Sequence, residues 1–282
     1  MQLKNAKASI YVPDSLPVDD ALQRTTHLAI AAHQDDLEIM SYDGILQCLG
    51  RQDRWYLGVV VTDGSGSPRN GLYADYTDRE MQAVRRHEQK KAAMVGDYGA
   101  LVQLSYPSSA VKSPVETDVV GDLAALIGQA RPRVVYTHNL ADKHETHIAV
   151  ALRVIAAIRL LPAADRPHKL YGCEVWRDLD WLNDDEKVVF DVSGHPNMAM
   201  ALLEVFDSQI CGGKRYDLAA AGRRLAHATF SQSHAVDQST SAIYAMDLTP
   251  LIENDQLDVA GFAEAHIQRF RDQVSIGIRR FQ

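Results

Sequence analysis

Two short polar clusters hold most of the chemistry available to this sequence. His33-Gln34-Asp35-Asp36 ends an apolar run, and His144-Glu145-Thr146-His147 opens an amphipathic one. His33 and Asp36 stand three apart where a strand is expected to turn into a helix. Such a turn can aim an imidazole and a carboxylate at one point. His144 and His147 are also three apart, so on a helix they share a face. A His33, Asp36 and His147 set with one coordination position open is what a catalytic zinc ion needs. Nitrogen and oxygen ligands without sulfur also admit other first-row divalent metals. Asp35 would stand beside the metal, where a carboxylate can take a proton from water. Zinc lowers the pKa of the water it holds from about 15.7 to about 7. His144, across the site, can steady an oxyanion or protonate a leaving amine. Metal, base and oxyanion partner together describe hydrolysis of a carbonyl compound.

Each cluster also has a plainer reading. HQDD alone can be a helix N-cap with a solvated carboxylate pair. HETH alone can be surface polarity on a first helical turn, and Asp35 can serve only to orient a ligand. His138, at a strand end, reads as structural. Asp63 is either a substrate contact or an Asx-turn residue. His195, His227 and His234 are scattered and read as surface or satisfied histidines. Trp176 and Trp181 suit either core packing or a sugar-stacking face.

The elements that must position these groups alternate. Apolar strands are expected at 27–32, 55–61, 100–106 and 133–138. Helical spacing covers 37–50, 78–95, about 115–130 and 144–161, with Gly50, Gly96 and Pro132 as stop signals. This alternation predicts an α/β fold with a mostly parallel sheet and helices on both faces. Ligands of such sheets sit outside the C-terminal strand ends, where both clusters fall. The glycine-rich stretch 62–71 is neither GxGxxG nor a Walker loop and reads as a mobile substrate loop. Beyond residue 165 the pattern is less regular, with strands expected at 171–176 and 187–193 and helices at 196–210 and 260–270. The expected organisation is an N-terminal arm (1–26), a metal-binding core (27–165) and a smaller C-terminal part (166–282) that completes the same catalytic domain.

The chain has 282 residues and a formal net charge of −8. An acidic chain without a Lys/Arg cluster argues against nucleic-acid binding. The first twenty residues lack a signal-peptide h-region, and no stretch is apolar enough for a membrane span. Cys48, Cys173 and Cys211 form no CxxC pair, so neither a disulfide framework nor a cysteine zinc site is expected. A cytoplasmic protein is the expectation, with no membrane partner and room for a homo-oligomer.

A strand ending in AHQDD, a TDG loop after the second strand and THN…HETH after the fourth resemble the PIG-L-type zinc-dependent N-deacetylase family. The usual family signature is AHPDD followed later by HxxH, and the resemblance spans roughly residues 27–210. It implies a Rossmann-like sheet, with Zn2+ held by His33, Asp36 and His147. It also implies Asp35 as the general base and His144 as the oxyanion or acid histidine. Arg85 and Glu88 match the family's RxxE helix, where the arginine is a candidate substrate contact, and Ser208-Gln209 match a recurring SQ pair. Gln34 stands in place of the usual proline. Met40, Tyr42 and Asp43 replace small residues, and Thr146 replaces an acidic one. Tyr106-Pro107-Ser108-Ser109 lacks the aspartate often found after the third strand. The activity implied is removal of an N-acyl, chiefly acetyl, group from a small amino sugar or glycoconjugate. A non-sugar amide or thiol conjugate, and an inactive binding module, stay open as alternatives.

Overall fold

The computed structural model describes residues 3–282. In chain order the first half runs β1 (Ser9–Tyr11), α1 (Val18–Gln23), β2 (His27–Ala31), α2 (Asp36–Met40), α3 (Tyr42–Cys48), β3 (Tyr56–Thr62), α4 (Asp78–Val95), β4 (Ala100–Tyr106), α5 (Ser108–Lys112) and α6 (Asp118–Ala130). The second half runs β5 (Val134–His138), α7 (Glu145–Arg159), β6 (Lys169–Cys173), β7 (Lys187–Asp191), α8 (Pro196–Glu204), α9 (Asp207–Ile210), α10 (Tyr216–Phe230), β8 (Ala242–Asp247), α11 (Pro250–Glu253) and α12 (Val259–Arg280).

Among the described residues, eight strands join one sheet in the order β1-β4-β3-β2-β5-β6-β8-β7. The five inner strands from β4 to β6 are parallel, while β1, β8 and β7 pair antiparallel at the two margins. β3 and β4 are buried along their whole length, which is why they read as largely apolar runs. Alternate residues feed two cores. Leu28, Ile30, Leu57, Val59 and Val102 face α1, α6 and α7. Ala29, Ala31, Val60 and Leu101 face α3, α4 and α8. The result is a Rossmann-like three-layer α/β/α arrangement.

The direction of strand addition reverses about β2, since β3 and β4 are laid to one side of it and β5 and β6 to the other. Outside the C-terminal ends of β2 and β5 this reversal leaves a crevice. HQDD leaves β2 and the HETH segment follows β5, so both clusters open onto that crevice.

Several elements differ from expectation. The helix expected over 37–50 is two short ones, broken at Ser41, whose hydroxyl donates back to the Leu37 carbonyl and meets Tyr56 Oη, each at 2.7 Å. The helix expected over 196–210 is likewise split, at Val205 and Phe206. α12 runs ten residues past the expected 270. β1, α1, α10 and β8 lay outside the expected elements. Gly96 does end α4, but at φ −84, and the left-handed residue is Asp97. Glycine is needed at 96 because a Cβ there would lie 2.5 Å from the Tyr98 ring. Among the described residues no helix is long and apolar enough to cross a membrane.

Candidate active site

Where β2 ends, the chain must turn sharply to begin α2. Asp35 makes that turn at φ 87, a conformation that L-residues rarely adopt. Its backbone N–H donates to Gln89 Oε1 at 3.2 Å. The turn puts two successive carboxylates and His33 against one cavity. Asp36 Oδ2 accepts the His33 backbone N–H at 2.8 Å, which locks the loop.

Three donor atoms converge there. His33 Nδ1 lies 3.2 Å from Asp36 Oδ2 and 3.2 Å from His147 Nε2. His147 Nε2 lies 3.3 Å from Asp36 Oδ2. Tetrahedral ligands about 2.1 Å from a first-row divalent ion sit about 3.4 Å from each other, so this triangle has the right size. Among the described residues, His33, His144 and His147 form one group able to hold a metal ion, and Asp36, His138 and His147 form a second that overlaps it. The electrostatics point the same way. Burial opposes charge on His147, yet the Asp36 and Asp142 carboxylates outweigh it and lift the imidazole to about 9. Burial likewise opposes charge on Asp36, but His147 holds its carboxyl well below the usual range. The cluster attracts positive charge, and a divalent cation fits its donor set.

His138 serves another purpose. Its Nε2 accepts the Ala32 N–H at 2.8 Å, and its ring stacks on His147 at 3.9 Å. It pins the end of β2 and backs the His147 ring. Asp142 orients the HETH segment: Oδ1 accepts the His144 N–H at 2.9 Å, and Oδ2 lies 3.4 Å from His147 Nδ1. The second contact is longer than a well-formed hydrogen bond, so its attraction is chiefly one of charge. Thr146 is buried, while Glu145 is exposed beside Lys112.

Asp35 and His144 open onto the cavity of about 480 Å³ that also meets His33 and Asp36. Burial pushes the Asp35 carboxyl up to about 7, with the Arg85 guanidinium opposing and the Asp36 charge adding. His144 Nδ1 accepts the Thr146 N–H at 3.3 Å, so a neutral ring carries its proton on Nε2. Burial, followed by charge on His147 and His33, pushes His144 down to about 4.

Arg85 borders the cavity but is only 2% exposed. Its guanidinium lies 3.3 Å from Asp35 Oδ2 and donates to the Gln34 carbonyl. It therefore holds the turn rather than projecting outward. Gly64, at φ +77, permits this approach, because a Cβ there would come 2.6 Å from Gln34 Oε1 and 3.2 Å from Arg85 Cβ. Asp63 does not border the cavity. It accepts the Ser65 N–H and hydroxyl and the Gln82 amide, so it serves as a loop-turn residue. Glu88 grips Ser208 through two bonds of 2.7 Å, which brings Gln209 to the cavity wall. Trp176 lines the cavity, whereas Trp181 packs on Phe270. His227 pairs with Glu174 and stacks on Tyr244. Lys214, Tyr216 and Arg223 also line the cavity; sequence reasoning missed them because they belong to the unrecognised α10 and the loop before it.

Comparisons with known proteins bear on the family and the fold. Residues 28–158 match the family model described as PIG-L: GlcNAc-PI de-N-acetylase. The uncharacterized deacetylase YaiS of Escherichia coli (strain K12) is 27% identical over 163 residues, covering 54% of this chain and 77% of that protein. The N,N'-diacetylchitobiose deacetylase from Pyrococcus horikoshii has a TM-score of 0.63 at 16% identity, over 82% of this chain and 86% of that one. The 4-carboxy-2-hydroxymuconate hydratase GalB from Pseudomonas putida KT2440 has a TM-score of 0.60 at 16% identity, over 79% and 96%. A deacetylase and a hydratase share this scaffold, so the reaction must be argued from the site.

Proposed function

We propose that this chain, whose residues 28–158 match the PIG-L de-N-acetylase model, is a zinc-dependent hydrolase that removes an N-acyl, chiefly acetyl, group from an amino sugar or glycoconjugate. One observation carries the reading: His33, Asp36 and His147 bring their donor atoms within 3.2–3.3 Å of each other beside the cavity that Asp35 and His144 line. These three residues would hold the ion. When bound, it supplies a Lewis acid for the acyl carbonyl and a nucleophile from water near neutral pH.

The remaining steps belong to side chains. Asp35 takes the proton of the attacking water, and its raised pKa suits it to hand that proton on to the departing amine. Arg85 and Gln89 keep the Asp35 turn in place. His144 stays neutral near pH 7, so its Nε2–H acts as a hydrogen-bond donor to the oxyanion that forms when the carbonyl becomes tetrahedral. Of its two candidate roles, this neutrality favours the oxyanion partner over the acid.

The test is acetate release from N-acetylglucosamine and its glycosides by zinc-loaded protein, before and after chelation. Release that stops on chelation and returns with zinc is the expected result. Zinc-loaded protein that frees acetate from no N-acetyl amino sugar would overturn the substrate assignment. Full activity without metal would overturn the metal dependence.

A further inference from the structure

We propose that the mouth of the cavity is a subsite for an anionic group, phosphate or carboxylate, carried by the substrate away from its acylated nitrogen. Lys214 and Arg223, beside Trp176, form it. This rests on the reading of the cavity as a deacetylase site and names the substrate class within it.

Charges along the cavity wall are unbalanced. Four cations, Arg85, Lys112, Lys214 and Arg223, face two carboxylates, Asp35 and Asp36. Arg85 is engaged by Asp35, and Asp36 by the imidazole cluster. Lys112 has a loose partner in Glu145 at 3.6 Å, whose side chain is 84% exposed. Among the described residues, neither Lys214 nor Arg223 has a carboxylate within ion-pair distance. The nearby Asp217 is already held by Arg215 at 2.6 Å. In a chain of net charge −8, two such cations at one cavity need a reason.

Both cations are fixed in place. Arg223 donates from Nη1 to the Val175 carbonyl at 2.6 Å, which orients its guanidinium and leaves its other N–H groups for a ligand. Lys214 Nζ lies 5.0 Å over the Trp176 ring. Trp176 in turn lies 6.4 Å from the His144 ring and 6.1 Å from Tyr216. A flat apolar surface thus leads from the candidate catalytic histidine to the cations. A sugar ring laid along that surface would carry an anionic substituent toward the cations. A neutral sugar uses hydroxyl contacts and has no need of two unpaired cations; an oxyanion offers them charge-assisted hydrogen bonds. All three residues lie beyond the span 28–158 that matches the family model, so this subsite is a property of the chain's own C-terminal part.

The test compares methyl N-acetylglucosaminide with N-acetylglucosamine 1-phosphate and with the N-acetylglucosaminide of glycolic acid, each with zinc-loaded full-length protein. The expected kcat/KM for an anionic compound exceeds that for the neutral one by about tenfold or more. Lys214→Gln and Arg223→Gln should each cut this ratio by about tenfold, and added salt should shrink it. The phosphate and carboxylate compounds show which oxyanion the subsite prefers. Equal rates for neutral and anionic compounds, or a ratio untouched by both substitutions, would remove the subsite and leave the deacetylase reading standing. Acetate release from none of the three would remove the deacetylase reading instead. Calorimetric binding of glucosamine 1-phosphate against glucosamine then decides the subsite. Tighter phosphate binding, lost in the double variant, supports it; equal binding overturns it.

Discussion

Asp35 sits at φ 87, and holding a non-glycine residue there costs about 1–3 kcal/mol. The strain persists because Gln89 takes its N–H and Arg85 takes both its carboxylate and the preceding carbonyl. The conformation keeps the carboxyl buried at the cavity wall, where burial raises its pKa toward the working range of a base. Asp35→Asn should lower kcat by about 10²–10⁴ while the melting temperature shifts little. A loss smaller than threefold would exclude Asp35 as the base. The pH profile follows from the sign of each influence. Asp35 accepts a proton only when ionised, so kcat/KM should fall as pH drops through its pKa, at or below about 7 with a divalent cation nearby. Arg85 lowers that pKa, so Arg85→Met should move the acidic limb to higher pH. An unmoved limb would separate the limb from Asp35. The convergence of the five candidate residues was legible because His33, Asp35 and Asp36 end an apolar strand and His144 and His147 open the helix after another. The contacts Arg85 makes with Asp35 and the Gln34 carbonyl were not legible. A partner fifty positions away leaves no local trace, and an arginine that clamps a carboxylate looks in sequence like one that greets a substrate.

At the scale of elements, α4 organises the site from one face. Its Thr77/Glu80 capping box fixes where it starts, and Arg85, Glu88 and Gln89 then all point inward. Arg85 and Gln89 act on Asp35, whereas Glu88 reaches α9 through Ser208. Glu88→Ala removes the acceptor of two buried donors and should cost about 2 kcal/mol or more in urea unfolding. It should also raise KM, since Gln209 loses its support at the cavity wall. Unchanged stability and KM together would show that α9 is held some other way. The strands around the site were legible from their largely apolar runs, and α4 from its helical spacing and the Gly96 stop. The breaks at Ser41 and Phe206 were not, because each depends on a partner elsewhere: Tyr56 Oη in one case, the packing of α8 and α9 on α4 in the other. β8 was missed because its six residues mix helix-forming Ala and Met with strand-forming Ile and Tyr.

For the molecule as a whole, acid should be a direct threat. His27 lies at the start of β2, and burial, followed by Arg54 and Arg133, pushes its pKa from 6.5 to about 4. Above pH 6.5 the ring is neutral in both folded and unfolded chains, and stability is unaffected. Between 6.5 and 4 the unfolded chain takes the proton and the folded one does not, so stability falls across that window. With allowance for partial exposure the loss is about 1–2 kcal/mol. Urea midpoints at pH 7 and 4.5 should differ less in His27→Gln than in the parent, and equal differences would clear His27. The doubly covered parallel sheet was legible from the strand–helix alternation. The antiparallel margins were not, since β1 and β8 are placed by pairing with distant strands.

The strand order carries one consequence for how the protein is made. β7 has a single partner, β8, which is also the strand that joins it to β6. On the ribosome, about fifty residues must emerge after β7 before that partner exists. Until then the nascent chain carries an open β6 edge and a strand with nothing to pair with, while the β2 and β5 loops are already complete. The segment that builds the cavity's cationic mouth lies within those fifty residues. The candidate metal ligands are therefore synthesised well before the wall that selects what reaches them.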